Sequence, residues 1–201
     1  QPGQRLFVKG EVGVGAAQLD ALAGWLDAQA TNWVVVLLES AAGESFTDAE
    51  GSRFTGIEAV THALGKGLMN QTAFGQSVHP RTGERNAAIF VLFLKDRRFS
   101  YFGSDAYDHR GLGEERWIGN LDQWAVKAMR DGGRVVDAVQ DTITNLDRRL
   151  CMTIEAEAAK LAYDARNRFI AEATPRLDHM LSAETAAKLA TLIDPKRAMA
   201  S

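Results

Sequence analysis

The segment from Lys95 to Glu115 carries the side chains best suited to chemistry in this chain of 201 residues. Four acids, Asp105, Asp108, Glu114 and Glu115, fall within its last eleven residues, and glycines lie among them. Carboxylates and loop carbonyls are the ligands that Ca²⁺ prefers, and glycines let a backbone turn its carbonyls inward. The spacing is not that of an EF-hand. It predicts a weak divalent-ion site for Ca²⁺ or Mg²⁺ in the loop 104–115, with these four acids as candidate ligands.

A solvated loop is the alternative interpretation, because acids just before a helix are also stabilised by the helix dipole. His109 lies inside the loop and would tune its charge. Asp96 is expected to stand apart from the loop. It lies at a hairpin corner, a strand length of ~20 Å from Gly103, and should cap that turn.

Motifs for other chemistries are missing from the rest of the sequence. The four histidines are scattered without the spacing of a zinc site, and no serine lies in a G-x-S-x-G elbow. Cys151 is not followed by the arginine of a thiol-phosphatase loop. The run "GEVGVG" precedes a helical pattern, but its glycines have the wrong order for a dinucleotide fingerprint and it lacks a Walker lysine. No nucleotide cofactor is therefore expected.

Composition narrows the class of protein. A net charge of −3 offers no broad positive field, so no nucleic-acid partner is expected. A hydrophobic fraction of 46% is enough for one sizeable core. The longest apolar runs are far shorter than the ~20 residues that cross a bilayer. Cys151 is the only cysteine, which excludes an intrachain disulfide.

The elements that must position the acidic loop follow from hydrophobic patterning. The candidate strands, in chain order, are "QRLFVK", "NWVVVLLES", "AAIFVLFL" and "RFSYFG". The second is apolar on both faces, which predicts an interior strand. A helix capped by Thr47 should connect it to the third, so these two strands should be parallel. The "KDRR" corner makes the fourth antiparallel to the third. The pattern predicts an α/β fold: a three-layer αβα sandwich with a mixed sheet in residues 1–150.

Residues 151–201 are predicted to be a C-terminal helical extension. A helical period runs from about Val135 to Ala173, Pro175 should stop it, and a short helix should follow over residues 183–192. Ile154, Leu161 and Phe169 form an apolar side that either packs on the domain or binds a partner or a second copy. Because the core elements are complete by Leu150, deleting 151–201 should leave a folded domain.

The second half of the chain resembles the TPM domain family, which includes thylakoid-lumen domains linked to photosystem II repair and bacterial extracytoplasmic domains. The resemblance lies in the strand "AAIFVLFL", the Asp96-Arg97 corner, the strand "RFSYFG" ending at Gly103, the acidic loop, and the run "WAVKAMRDGGRVVDAVQDTI". With the preceding elements it covers residues 5–149. Tyr107 stands where the family has a glutamate.

This resemblance implies an αβα sandwich, a divalent-ion site near the strand-end loop, and a location outside the cytosol, in the periplasm or cell envelope. Some members of the family are credited with weak acid phosphatase activity. The first functional hypothesis is therefore a non-catalytic accessory or interaction domain whose partner is a membrane-anchored or envelope protein. The alternative is a slow, metal-assisted acid phosphatase acting on phosphomonoesters.

Overall fold

A computed structural model of the chain describes residues 4–29, 31–70, 72–112 and 134–193. The strands in these ranges are β1 (Leu6–Lys9), β2 (Asn32–Leu38), β3 (Ser45–Thr47), β4 (Arg53–Thr55), β5 (Ala87–Phe93) and β6 (Arg98–Gly103). Its helices in these ranges are α1 (Ala16–Asp27), α2 (Gly56–Leu64) with a π-helical turn at Gly65–Met69, α3 (Asp105–Asp108) and α4 (Val135–Ile193). The description of the fold is limited to these residues.

Four strands form a mixed sheet in the order β1-β2-β5-β6. β2 is parallel to β5, and β6 returns antiparallel beside β5, as the sequence predicts. β1 lies parallel to β2 on its other side. In the register of the last pair, Ala88 lies opposite Gly103 and Phe93 lies opposite Arg98. The carboxyl end of β6, where the acidic loop starts, therefore lies at the amino end of β5.

The two faces of the sheet are covered by different helices. Alternate residues of β2 and β5 on one face pack against Ile57, Val60 and Leu64 of α2. The other face presents Trp33, whose indole N–H donates to Asp147 of α4 at 2.7 Å. Ile143, Leu146 and Leu150 of α4 are at most 1% exposed. Helix, sheet and helix make the predicted three layers, and the α/β assignment is confirmed.

The predicted helix start at Thr47 is wrong. Residues Ser45–Thr47 instead pair with Arg53–Thr55 in a two-stranded antiparallel hairpin, and α2 begins at Gly56. The carboxylate of Asp48 accepts hydrogen bonds from the backbone N–H groups of Glu50 and Ser52. This turn uses Asp48 as a turn former, so the Thr47–Glu50 spacing does not serve a helix.

The predicted end of the long helix is also wrong. Pro175 lies inside α4, which continues to Ile193, so no separate helix covers 183–192. A proline removes one backbone hydrogen bond, and water or a side chain can satisfy the carbonyl groups around it in an exposed helix. The hydroxyl of Thr174 donates to the carbonyl of Ile170 at 2.7 Å.

The chain divides into two compact units, Gln1–Thr153 and Ile154–Ser201. In the second unit Leu161 and Phe169 are 67% and 71% exposed. Tyr163 and Ile170 are exposed too, about half a turn around the helix from Leu161. The exposed apolar side chains therefore do not form the predicted single side. Within the described ranges, no helix is long and apolar enough to cross a membrane.

Candidate functional site

The antiparallel β5–β6 pair brings the acidic loop next to the residues that lead into β5. Ser104 donates its hydroxyl hydrogen to the carbonyl of Ala87 at 2.9 Å, and the backbone N–H of Ala106 donates to the carbonyl of Arg85 at 2.9 Å. These bonds fix the first turn of α3 against the segment 85–87. Asp105 and Asp108 are both in α3, so the structure does bring these two predicted ligands together.

Asp105 forms a two-pronged ion pair with Arg85. Nε of Arg85 donates to Oδ2 of Asp105, and Nη2 donates to Oδ1, each at 2.9 Å. The hydrogen bonds and the charge of Arg85 lower the pKa of Asp105, and the same contacts raise the pKa of Arg85. Asp105 is therefore an ionised carboxylate whose charge is already balanced by a guanidinium.

Asp108 is in the opposite situation. Its carboxylate has neither a hydrogen bond nor an ion pair within the part of the chain that the structure describes. Partial burial, and to a smaller extent repulsion from the charge of Asp105, raises the pKa of Asp108. Of the two loop acids that the structure describes, Asp108 is thus the one whose carboxylate is free to bind a ligand.

An open pocket of about 270 Å³ lies beside both acids. Its other wall is the end of α2 and the π-helical turn, which bring His62, Lys66 and Asn70 to the pocket. π-Helical turns often occur at functional sites. The ring of Phe102 supplies an apolar wall. Cationic and anionic side chains therefore line the same small space.

Glu84 anchors the far end of α3. Its carboxylate contacts Nδ1 of His109 at 2.9 Å and Nη1 of Arg110 at 2.5 Å. These contacts, the one with His109 first, lower the pKa of Glu84 to about 2. His109 therefore contacts Glu84 directly. Its charge also lowers the pKa values of Asp105 and Asp108.

A buried polar cluster lies under the site and is centred on Asp147 of α4. Its carboxylate accepts hydrogen bonds from Thr31, from Trp33 at 2.7 Å and from the hydroxyl of Tyr107 at 3.2 Å. Burial raises the pKa of Asp147 despite these bonds. Tyr107 belongs to α3, so the cluster connects the site to α4.

The close contact between Tyr107 and Gly103 tightens this arrangement. A Cβ placed on Gly103 would lie 2.5 Å from both the hydroxyl oxygen of Tyr101 and the Cβ of Tyr107. Tyr107 is fully buried and packs edge-on against the ring of Trp33.

The donor set fits a divalent ion only in part. Among the described residues, no three His, Cys, Asp or Glu side chains are grouped to hold a metal. Asp108 offers a free carboxylate, while both oxygens of Asp105 already accept from Arg85. Glu114 and Glu115 lie outside the described residues. Such a site would need several water ligands and would bind weakly.

Asp96 lies at the other end of the β5–β6 pair, as predicted. Its role differs from the prediction, because its carboxylate accepts from the hydroxyl of Ser40 at 2.9 Å and from the N–H of Ala41 at 2.7 Å. It therefore caps the turn that follows β2. Asp96 could bond either its own hairpin turn or the turn that follows β2, and its position in the sequence does not predict which of the two turns it bonds.

Sequence reasoning missed Arg85, Lys66 and Asp147. Lys66 lies among apolar helix positions, and Asp147 occupies a polar position in an otherwise ordinary amphipathic pattern. The sequence did hold one signal for Arg85. Arg85 lies two residues before β5, and Asp105 lies two residues after β6, the strand that pairs with β5. An antiparallel register predicts that such positions meet.

No protein-family model matches the chain, and no curated protein matches it. The chain is similar to a solution NMR structure of the N-terminal domain of a protein from P. gingivalis, with 16% sequence identity and a TM-score of 0.47. That similarity covers 77% of this chain and 87% of the other.

Proposed function

We propose that this chain is a non-catalytic accessory or interaction domain of the cell envelope whose open pocket binds a divalent ion weakly beside Asp105 and Asp108. The free carboxylate of Asp108 in the pocket wall carries this proposal. A half-open site with one uncompensated carboxylate attracts a hard cation such as Ca²⁺ or Mg²⁺.

The hydroxyl groups near the pocket favour binding over catalysis. Thr61 and Ser104 both line it, and each hydroxyl already donates elsewhere: Thr61 to Ser100 at 3.2 Å, and Ser104 to the Ala87 carbonyl at 2.9 Å. Neither is hydrogen-bonded to a general base that would activate it. The pocket is therefore better suited to holding a ligand than to attacking one.

Calorimetry with Ca²⁺ and Mg²⁺ tests the ion site. We expect a dissociation constant in the roughly micromolar to millimolar range, and Asp108→Asn should weaken binding more than any other single change. Asp96→Asn is the matched control, because Asp96 lies at the opposite end of the strand pair. Absence of heat and of thermal stabilisation at ~10 mM Ca²⁺, where a millimolar site would add ~1.4 kcal/mol, would refute the ion site.

The envelope location is supported by the resemblance to TPM domains, which also suggests a membrane-anchored or envelope protein as partner. Fractionation of cells that express the complete gene tests the location. Recovery with the envelope or periplasmic fraction is expected, and recovery with cytosolic markers would contradict it. Cross-linking in the same cells should then capture a membrane-anchored partner.

A slow, metal-assisted acid phosphatase is the second candidate function. The observation that favours it is the presence of Lys66, Arg85 and His62 in the same pocket as the two aspartates. An ion bound at the carboxylates would polarise a phosphoryl group. Lys66 and Arg85 are placed to hold the charged oxygens of a phosphomonoester in that pocket.

Hydrolysis of an aryl phosphate separates the two functions. The assay is run with Ca²⁺, Mg²⁺ and Mn²⁺ on the unaltered chain, on Asp105→Asn and on Asp108→Asn. Turnover that either substitution abolishes would establish the phosphatase and end the purely accessory role. Turnover that both variants retain in full would come from a contaminating enzyme.

A further inference from the structure

We propose that segment 155–176 of α4 pairs antiparallel with the same segment of a second copy of this chain. In that pair, Leu161 of one copy packs beside Phe169 of the other. Asp164 of one copy faces Arg168 of the other. The pairing does not depend on the proposed ion site.

Segment 155–176 is helical throughout, yet every residue in it except the half-buried Ala173 is exposed. Its largest apolar side chains are in water, with Leu161 67% and Phe169 71% exposed. Most of the stability of a helix in a protein comes from packing one of its faces. A second surface that covers these side chains would stabilise the segment.

Leu161, Ala165 and Phe169 form one stripe, because residues four apart lie on the same side of a helix. Both large side chains lie four residues from Ala165, so an antiparallel copy that crosses there places its Phe169 beside Leu161. The small side chain of Ala165 lets the two helices approach closely at the centre. Tyr163 and Ile170 lie on the opposite side and take no part in this contact.

The charges of the segment select a second copy in the antiparallel direction. Residues 155–165 contain three acids and one lysine, a net charge of −2, and residues 166–176 contain three arginines and one glutamate, a net charge of +2. An antiparallel copy sets the negative half of each helix against the positive half of the other. Asp164 and Arg168 lie on the same flank of the stripe, so Asp164 of one copy lies ~3 Å along the axis from Arg168 of the other.

Ion pairing within a single helix is the competing interpretation of these charges. Asp164 and Arg168 are four residues apart, a spacing that also suits a pair along an exposed helix. Among the described residues no ion pair joins them, whereas Glu184 and Lys188 of the same helix do form one, at 2.9 Å. The two central side chains are therefore available to a partner.

Sedimentation velocity of the full chain over a range of concentrations tests the pairing. We expect a dimer with a dissociation constant of roughly 1–100 µM, because a single pair of helices is a small interface. Phe169→Ser removes one half of the stripe contact and should weaken the dimer about tenfold or more. Tyr163→Ser, at an aromatic residue on the opposite side of the helix, is the matched control and should leave the dimer unchanged.

Charge reversal at the central pair tests whether the partner has the same sequence. Asp164→Arg sets two arginines against each other, and Arg168→Asp sets two aspartates against each other. Each should weaken the dimer about fivefold or more at low salt. The double variant Asp164→Arg/Arg168→Asp restores opposite charges across the interface and should restore the dimer, because only a second copy changes together with the variant.

A spin label on Cys151 reports the direction of the helices. Cys151 is exposed and is the only cysteine of the chain. It lies 14 residues before Ala165. The two labels of an antiparallel pair are therefore ~40 Å apart along the axis, whereas those of a parallel pair are ~10 Å apart. Pulsed electron paramagnetic resonance measures this distance.

The outcomes decide the proposal in either direction. A dimer with the long label distance that Phe169→Ser and Asp164→Arg weaken, and that the double charge variant restores, supports it. A chain that stays monomeric up to about 1 mM overturns it and leaves the stripe to a partner of different sequence. A dimer that ignores the charge reversals, or that has the short label distance, overturns it too. Circular dichroism checks that each variant is folded, and Phe169→Ala replaces Phe169→Ser if that variant is not.

Discussion

At the scale of single residues, the acids of the loop have different roles that their shared type conceals. Asp105 is balanced by Arg85, Asp108 is free, and Glu84 outside the loop anchors the end of α3. The residue types are visible in the sequence, but the predicted loop is in part wrong, because Asp105–Asp108 form the short helix α3. The sequence does not predict which carboxylate is already neutralised, because Arg85 is distant in sequence and meets Asp105 only through the β5–β6 register.

Gly103 should not tolerate a side chain. A Cβ there would lie 2.5 Å from Tyr107 and Tyr101, both of which are buried, so Gly103→Ala should lower the free energy of unfolding by about 1–3 kcal/mol or more. Gly24→Ala in α1 is the matched control. Apart from its own helix backbone and chain neighbours, nothing lies within 4 Å of the added Cβ, and alanine should stabilise that helix by roughly 0.5–1 kcal/mol. Urea unfolding of both variants measures the difference, and an unaffected Gly103→Ala would show that the contact relaxes without cost.

Glu84 should give the stability an acid-dependent component. Its pKa falls from 4.5 to about 2 in the folded chain, so the ionised form is favoured by folding. This stability is fully present above pH 4.5 and is lost as the pH falls through about 2. His109 has a raised pKa, so its share is present below its ordinary pKa of 6.5 and is lost as the pH rises through its higher folded value. The gap in unfolding free energy between the unaltered chain and Glu84→Gln should therefore be widest between about pH 5 and 6.5 and should close towards pH 2. A gap that does not vary with pH would contradict this assignment.

At the scale of elements, the strands were predictable and their connections less so. The apolar runs of β2 and β5 predict central strands because residues buried on both faces leave an unbroken hydrophobic signal. The β3–β4 hairpin was missed because its strands have only three residues each. In addition, Thr47 and Glu50 have the spacing of a capped helix start. The sequence analysis wrongly ended α4 at Pro175. The free energy lost at an exposed proline depends on whether water or a side chain bonds the carbonyl groups around it, which the sequence does not show.

Asp147 should hold α4 against the sheet. Removing its carboxylate leaves the buried N–H of Trp33 and the hydroxyl of Tyr107 without their acceptor, so Asp147→Ala should cost about 2–4 kcal/mol of unfolding free energy. Asp141→Ala, at an exposed position of the same helix, is the control and should cost less than ~0.5 kcal/mol. Equal stability of the two variants would show that the buried cluster does not hold α4.

The charge of Asp147 should also appear in the pH profile, with a sign opposite to that of Glu84. Burial raises its pKa in the folded chain, so the folded state binds this proton more tightly than the unfolded state does. Its contribution is therefore most favourable below its ordinary pKa of 3.8 and is lost as the pH rises through the folded value. Asparagine has nearly the same shape as aspartate but does not ionise. Asp147→Asn should therefore remove the fall in unfolding free energy with rising pH that Asp147 causes. A pH profile of the Trp33 indole N–H resonance tests the assignment directly, and a resonance that does not titrate in the unaltered chain would refute it.

At the scale of the whole molecule, burial along the described part of α4 ends at Ile154, which is the first residue of the second unit. The buried apolar residues of α4 in the first unit come in the first part of the helix, and the polar cluster on Asp147 lies among them. They are Val135, Ala138, Val139, Ile143, Leu146 and Leu150. Composition already implied one core with an appendage, because a chain of 201 residues with 46% hydrophobic content can bury one core of that kind. The sequence predicts an apolar side with Leu161 and Phe169, but it does not predict whether that side is covered, since helical spacing gives positions on a helix and not what covers them.

Truncation tests this division, and two end points make it sharp. A chain that ends at Thr153 keeps every buried α4 residue of the first unit. It loses the buried Ile154, so we expect it to remain folded, with cooperative unfolding and a free energy of unfolding lower by about 1.5–3 kcal/mol. A chain that ends at Thr142 loses Ile143, Leu146, Asp147 and Leu150. At about 1.5–3 kcal/mol for each buried apolar side chain, and with the acceptor of Trp33 gone, that loss is comparable with the whole stability of a typical domain. Circular dichroism and the dispersion of amide NMR signals report both outcomes. A molten chain ending at Thr153 would place residues beyond it in the core, and a well-folded chain ending at Thr142 would show that α4 is not the second outer layer of the sandwich.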